Sequence, residues 1–196
     1  MRSGIDCFMG DGKSGVVCAK RENDDMTGAS MIALQTFNQL SHEEALARLQ
    51  PCVALPDWAN ALVEGRPYLH RKALFDAART LAQTWDETAL TQALNAHPRI
   101  GEKPTGAQAE AVLSRQEQGA VDNRDRQLAQ ALQEGNARYE ARFGRVFLIR
   151  AKGRSGEEIL RALNARLENS DAQEVQAALE QLREITLLRL EGVIDE

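Results

Sequence analysis

Histidine and cysteine are scarce in this chain, and the scarcity narrows its chemistry. Three histidines (His42, His70, His97) and three cysteines (Cys7, Cys18, Cys52) are scattered over 196 residues. Neither set has the close spacing of a zinc site or a disulfide framework, so a reducing cytoplasm is the expected setting. A Gly-rich phosphate loop, a zinc motif and a nucleophile elbow are all missing. If the chain is an enzyme, chemistry without cofactor or metal is therefore favoured. No apolar run approaches the roughly 20 residues that cross a bilayer, which argues against a membrane partner. The net charge of −5 argues against a nucleic-acid partner. The last residues, Ile194-Asp195-Glu196, form no peroxisomal address.

What is present is helix. Hydrophobic residues make up 43% of the chain and charged residues 27%, the balance of a soluble domain large enough for a core. Residues 1–30 are rich in Gly, Ser and Asp, without helical period or a continuous apolar signal segment. They read as a disordered extension ahead of one domain spanning 31–196.

Caps mark the helices of that domain. Ser41 with Glu44 has the form of a capping box, and Pro51 stops the helix that follows. Pro56 opens another, ending near Gly65. Leu74, Ala77, Ala78, Leu81 and Trp85 trace the apolar face of a third, over about 69–85. Asp86 caps the next, to about Asn95. Thr105 and Gln108 open the helix that carries Ser114 and Glu117. Leu128, Leu132, Tyr139 and Phe143 mark a helix over 123–142, in spite of Gly135, and Gly144 closes it. Val146–Ile149 is a short apolar run that fits a buried extended segment, although periodicity alone does not decide it. Ser155 with Glu158 opens a further helix. Asp171-Ala172-Gln173-Glu174 resembles a cap for the last one, which reaches about Val193. The result is an all-α single compact domain of seven to nine helices, with at most one short strand.

One loop interrupts this pattern. In His97-Pro98-Arg99-Ile100-Gly101, Pro98 holds His97 out of helical geometry and Gly101 frees the backbone to turn. Such a loop can present an imidazole that titrates near neutral pH at the mouth of a cleft. A plain surface turn fits the spacing as well. Ser114, Glu117 and Gln118 stand at i, i+3 and i+4, one helix face; they suit either a polar substrate or a wetted surface.

In the last helix Val175, Leu179, Leu182, Thr186 and Arg189 form one continuous stripe. An arginine facing the core needs a partner, because an unpaired buried charge is very costly. Arg189 is thus an anchor for an anion or carbonyl in a pocket, or one half of a structural ion pair. Arg183 and Arg161 read as solvated, and Cys52 and Trp58 as core or wall. A small all-α binding domain remains a rival to an enzyme.

Taken together, these residues resemble the 2-oxo-4-hydroxy-4-carboxy-5-ureidoimidazoline (OHCU) decarboxylases of urate breakdown. The likeness covers about Phe37 to Val193. It runs through Phe37-Asn38, Cys52, Trp58, Arg66-Pro67, the His97-Pro98-x-Ile100-Gly101 loop, and Ser114 with Glu117-Gln118. It continues through Asn136, Tyr139, Arg142-Phe143-Gly144, Gly153-Arg154-Ser155 and Leu188-Arg189-Leu190. Arg145 departs from it, where an apolar residue is expected.

The resemblance implies a cofactor-free and metal-free all-α enzyme, a homodimer, that converts the small-molecule substrate OHCU to (S)-allantoin. Residue by residue, it implies His97, Glu117 and Arg189 as catalytic. Ser114 and Gln118 would bind substrate, Pro98 would shape the loop, and Phe147, Leu148 and Ile149 would line the pocket. Another cofactor-free lyase or isomerase of a ureido compound is the alternative within that chemistry.

Overall fold

A computed structural model describes residues 31–95 and 126–196. The expected disordered extension over 1–30, the His97 loop and the helix carrying Ser114 and Glu117 lie outside the described residues. Eight α-helices occur among those described, together with two strands of two residues each.

Most helix starts follow their predicted caps. In α1 (Leu34–Gln39) Phe37 is fully buried. Ser41 and Glu44 form a reciprocal capping box at the head of α2 (His42–Leu49), and Pro51 then enters a short 3₁₀ turn, Gln50–Cys52. α3 (Pro56–Glu64) begins at its proline. α4 is Arg71–Gln83, shorter than its apolar stripe suggests, because the ring Nδ1 of His70 accepts from the Ala73 amide and fixes the start. Leu69 falls outside it and is 92% exposed. Asp86 caps α5 (Glu87–Leu94).

α6 (Arg126–Phe143) buries Leu132, Tyr139 and Phe143. It ends at Gly144, whose φ of 65° is the left-handed conformation that glycine adopts without strain. Gly135 inside α6 is a close approach: a Cβ there would sit 2.5 Å from Leu163 Cδ2. Leu163 belongs to α7 (Gly156–Arg166), opened by the Ser155–Glu158 box.

Three expectations need correction. The last helix, α8 (Asp171–Val193), is capped by Ser170 with Gln173, one residue earlier than the pattern from Asp171 suggested. Glu174 is thereby released from capping and lies fully buried. Arg183 is not solvated: it is half-buried and donates to the Ala82 carbonyl at 2.9 Å, closing the end of α4. Two short strands form where at most one was expected, β1 (Ile32–Ala33) pairing in parallel with β2 (Ile194–Asp195), Ile32 opposite Ile194, while Phe147–Ile149 are buried and non-helical.

The interior divides into two apolar clusters. One gathers α1 to α5, the 3₁₀ turn, α8 and Leu148. The other joins α6 and α7 with Phe147, Ile149 and Ala151. The connection from α6 to α7 runs between them, sending Leu148 one way and its two neighbours the other. No described helix is long and apolar enough to cross a membrane.

Candidate active site

The α8 stripe holds as read. Val175, Leu179, Leu182, Thr186 and Arg189 are all buried, Arg189 to 4% exposure. Its guanidinium reaches the 3₁₀ turn at the end of α2, where Nη1 donates to the Cys52 carbonyl at 3.5 Å. The buried carboxylate on the same helix, Glu174, is taken by Arg166 rather than by Arg189.

Cys52 is fully buried beside that charge. Burial pushes its thiol up to about 12, against the opposing pull of Arg189. It therefore stays a protonated apolar wall at neutral pH, not a nucleophile. Leu148 belongs to the same large apolar cluster as Cys52, and Arg189 meets Cys52 directly. Phe147 and Ile149 are buried on the other side of their segment.

Outside the catalytic residues read from sequence stands a polar group that pattern reasoning missed. Arg166 donates through Nε to Glu174 at 2.8 Å, also through Nη2, and through Nη1 to the Leu148 carbonyl at 2.6 Å. Tyr139 donates its hydroxyl to the same carboxylate, and Asn169 donates to the other oxygen at 2.8 Å. Burial first, then the hydrogen bond to Glu174, hold the Tyr139 phenol well above its ordinary range, so it remains a donor. The sequence signal was faint: Glu174 in a first turn and Arg166 in a last turn look like ordinary partners of helix dipoles.

An open cleft of about 400 Å³ lies between α3, α4 and α5, walled by Trp58, Trp85, Asp57, Asp86 and Gln92. Its lining includes neither Arg189 nor the 147–149 segment. Arg145, the departure from the expected pattern, turns to Asp171 at 2.6 Å and Glu87 at 3.5 Å. His97, Pro98, Ser114, Glu117 and Gln118 lie outside the described residues.

A sequence model of OHCU decarboxylases matches residues 38–191, from α1 to the last turn of α8. This chain belongs to the OHCU decarboxylase family. As a member it is a carboxy-lyase of urate degradation. The OHCU decarboxylase of Amia calva is 30% identical over 164 residues, 82% of this chain and 94% of the relative. A bifunctional uric acid degradation protein of Arabidopsis thaliana is 30% identical over 143 residues, 71% of this chain but 44% of that protein. A solved OHCU decarboxylase, crystallised in the presence of (S)-allantoin, superposes with a TM-score of 0.60 at 26% identity. That match covers 77% of this chain and 96% of the other. The match thus spans nearly the full length of the Amia calva relative and of the solved structure.

Proposed function

We propose that His97 and Glu117 form the acid/base pair, and Arg189 the polar anchor, with which this enzyme decarboxylates OHCU to allantoin. The observation that carries this reading is Arg189: a guanidinium on the core side of α8 at 4% exposure, in a chain that matches the family from 38 to 191.

The substrate supplies its own electron sink. The departing carboxylate sits on a carbon that bears a hydroxyl and adjoins a C=N bond. When the C–C bond breaks, its electron pair moves toward that imine and CO2 leaves. No separate electron acceptor is needed, which is why the chemistry runs without cofactor. The chain must orient the ring, manage the hydroxyl proton and deliver a proton to one face of the new carbon. His97 and Glu117 perform the proton transfers.

Arg189 holds oxygen or ureido groups that keep or gain negative charge. A clamp on the departing carboxylate would stabilise the ground state and slow the reaction. Ser114 and Gln118 bind the polar ring, Pro98 sets the loop, and Phe147 to Ile149 line the pocket. One-sided protonation gives the (S) product. The working unit is a homodimer of the 31–196 domain in the cytoplasm.

The test generates OHCU in situ from urate and follows allantoin by circular dichroism. His97→Asn and Glu117→Gln should each lower turnover by more than about tenfold while leaving the thermal melt in place. Near-normal formation of optically active allantoin by either variant would sink the assignment.

A further inference from the structure

Two neighbouring peptides in the connection from α6 to α7 are gripped from two different helices. Arg166, at the end of α7, donates to the Leu148 carbonyl at 2.6 Å. Gln181, on α8, accepts from the Arg150 amide at 3.0 Å. The peptide that Arg166 holds joins Leu148 to Ile149 and is trans, and Gln181 holds the next one, Ile149 to Arg150. In a trans peptide the N–H points opposite to the C=O. Tying the Leu148 carbonyl to Arg166 therefore also sets the direction of the Ile149 amide, away from Arg166.

The guanidinium is itself held on every side. Glu174 takes Nε and Nη2, Tyr139 and Asn169 fix that carboxylate, and the Phe147 ring lies 4.7 Å from the guanidinium carbon. A buried ion pair adds little stability over apolar residues of the same volume, because both charges lose their water. What this one provides is direction: a charged donor with no freedom to turn, aimed at one carbonyl of a segment that has no ladder to fix it.

We infer that Arg166, aimed by Glu174, is a positioning residue for the decarboxylation, presenting the Ile149 amide as a fixed donor to a carbonyl or ureido oxygen of the substrate. The inference rests on the proposal that Phe147 to Ile149 line the pocket. A donor already set in place spends no reorganisation when substrate arrives.

Arg166→Lys separates direction from charge. An ammonium keeps the pairing with Glu174 but cannot also hold the Leu148 carbonyl in a planar fork. Its kcat/KM for OHCU should fall about tenfold or more, carried mainly by KM. Ser155→Ala, which uncaps the same helix, should lose comparable Tm with kcat/KM within about twofold. Equal losses of kcat/KM in the two variants would overturn the inference, as would an unchanged kcat/KM in Arg166→Lys. In the unaltered protein, the Ile149 amide resonance should shift on adding (S)-allantoin; an unmoved resonance overturns it even where Arg166→Lys does not fold. His97→Asn in the same assay keeps the two proposals apart, since full activity there removes the catalytic reading itself.

Discussion

Arg189 and Cys52 stand 137 residues apart in sequence and meet as guanidinium donor and carbonyl acceptor. The contact ties the final helix to the turn that follows α2. Arg189→Lys keeps the charge but not the fork, so turnover should fall by more than about tenfold. Loss of the Cys52 contact alone costs about 1 kcal/mol, so Tm should fall by at least about 2–4 °C. Allantoin formation and a thermal melt on the same preparation measure both; full activity would remove Arg189 from the site.

Alkali should weaken the fold through Cys52 and Tyr139. Both keep their protons to higher pH in the folded chain than in the unfolded one. From the ordinary thiol value of 9.0 up to about 12, the unfolded chain has released the Cys52 proton while the folded chain retains it. Raising pH then favours unfolding, by about 1.4 kcal/mol per pH unit for each such group. Below that window neither contributes a slope. Urea midpoints should hold steady from about pH 7 to 8 and fall above about 9. Cys52→Ala should flatten the fall.

Gly135→Ala should destabilise, although alanine suits a helix by about 1 kcal/mol. The added methyl would meet Leu163 Cδ2 at 2.5 Å and Cγ at 3.3 Å, against a side chain that is fully buried. Overpacking of this kind costs about 1–3 kcal/mol, so the sum should be a net loss. Leu163→Val, which removes the clashing carbon, should cost less in the Gly135→Ala background than alone. Additive chemical-denaturation values would refute the contact.

Arg145→Leu should be neutral or slightly stabilising. Its pairs with Asp171 and Glu87 involve carboxylates that are 63% exposed, a setting in which ion pairs are worth about 0–1 kcal/mol. Its buried Nη1 has no hydrogen-bond partner among the described residues, a cost of about 1–3 kcal/mol. A fall in Tm of more than about 5 °C would show that the pairs outweigh the orphaned donor.

What could be read from sequence was local. Ser41 with Glu44, Asp86, Ser155 with Glu158, and Gly144 all act within four residues of themselves, so their roles are written in adjacent letters. The Arg189 stripe was legible because helical period alone decides which face it occupies. Arg183 was misjudged because its acceptor, Ala82, is 101 residues away. Glu174 was missed for the same reason, since its burial is compensated by Arg166 and Tyr139 from two other helices. The β1–β2 pair is two residues long and joins distant parts of the chain, so no alternating pattern announces it. His97 and Glu117 were legible only as an odd loop and a polar face; their resemblance to a family gave them roles.

The pairing of Ile32 with Ile194 has a practical meaning. Paired strands lie about 4.8 Å apart, so both flanks of the helical body open at one corner of the surface. In a chain trimmed to 31–196, a tether of a few residues would bridge Glu196 to Met31, and a new opening at the exposed Leu69 would then give a circular permutant with every described helix intact. A partner protein joined on either flank would hang from the same point.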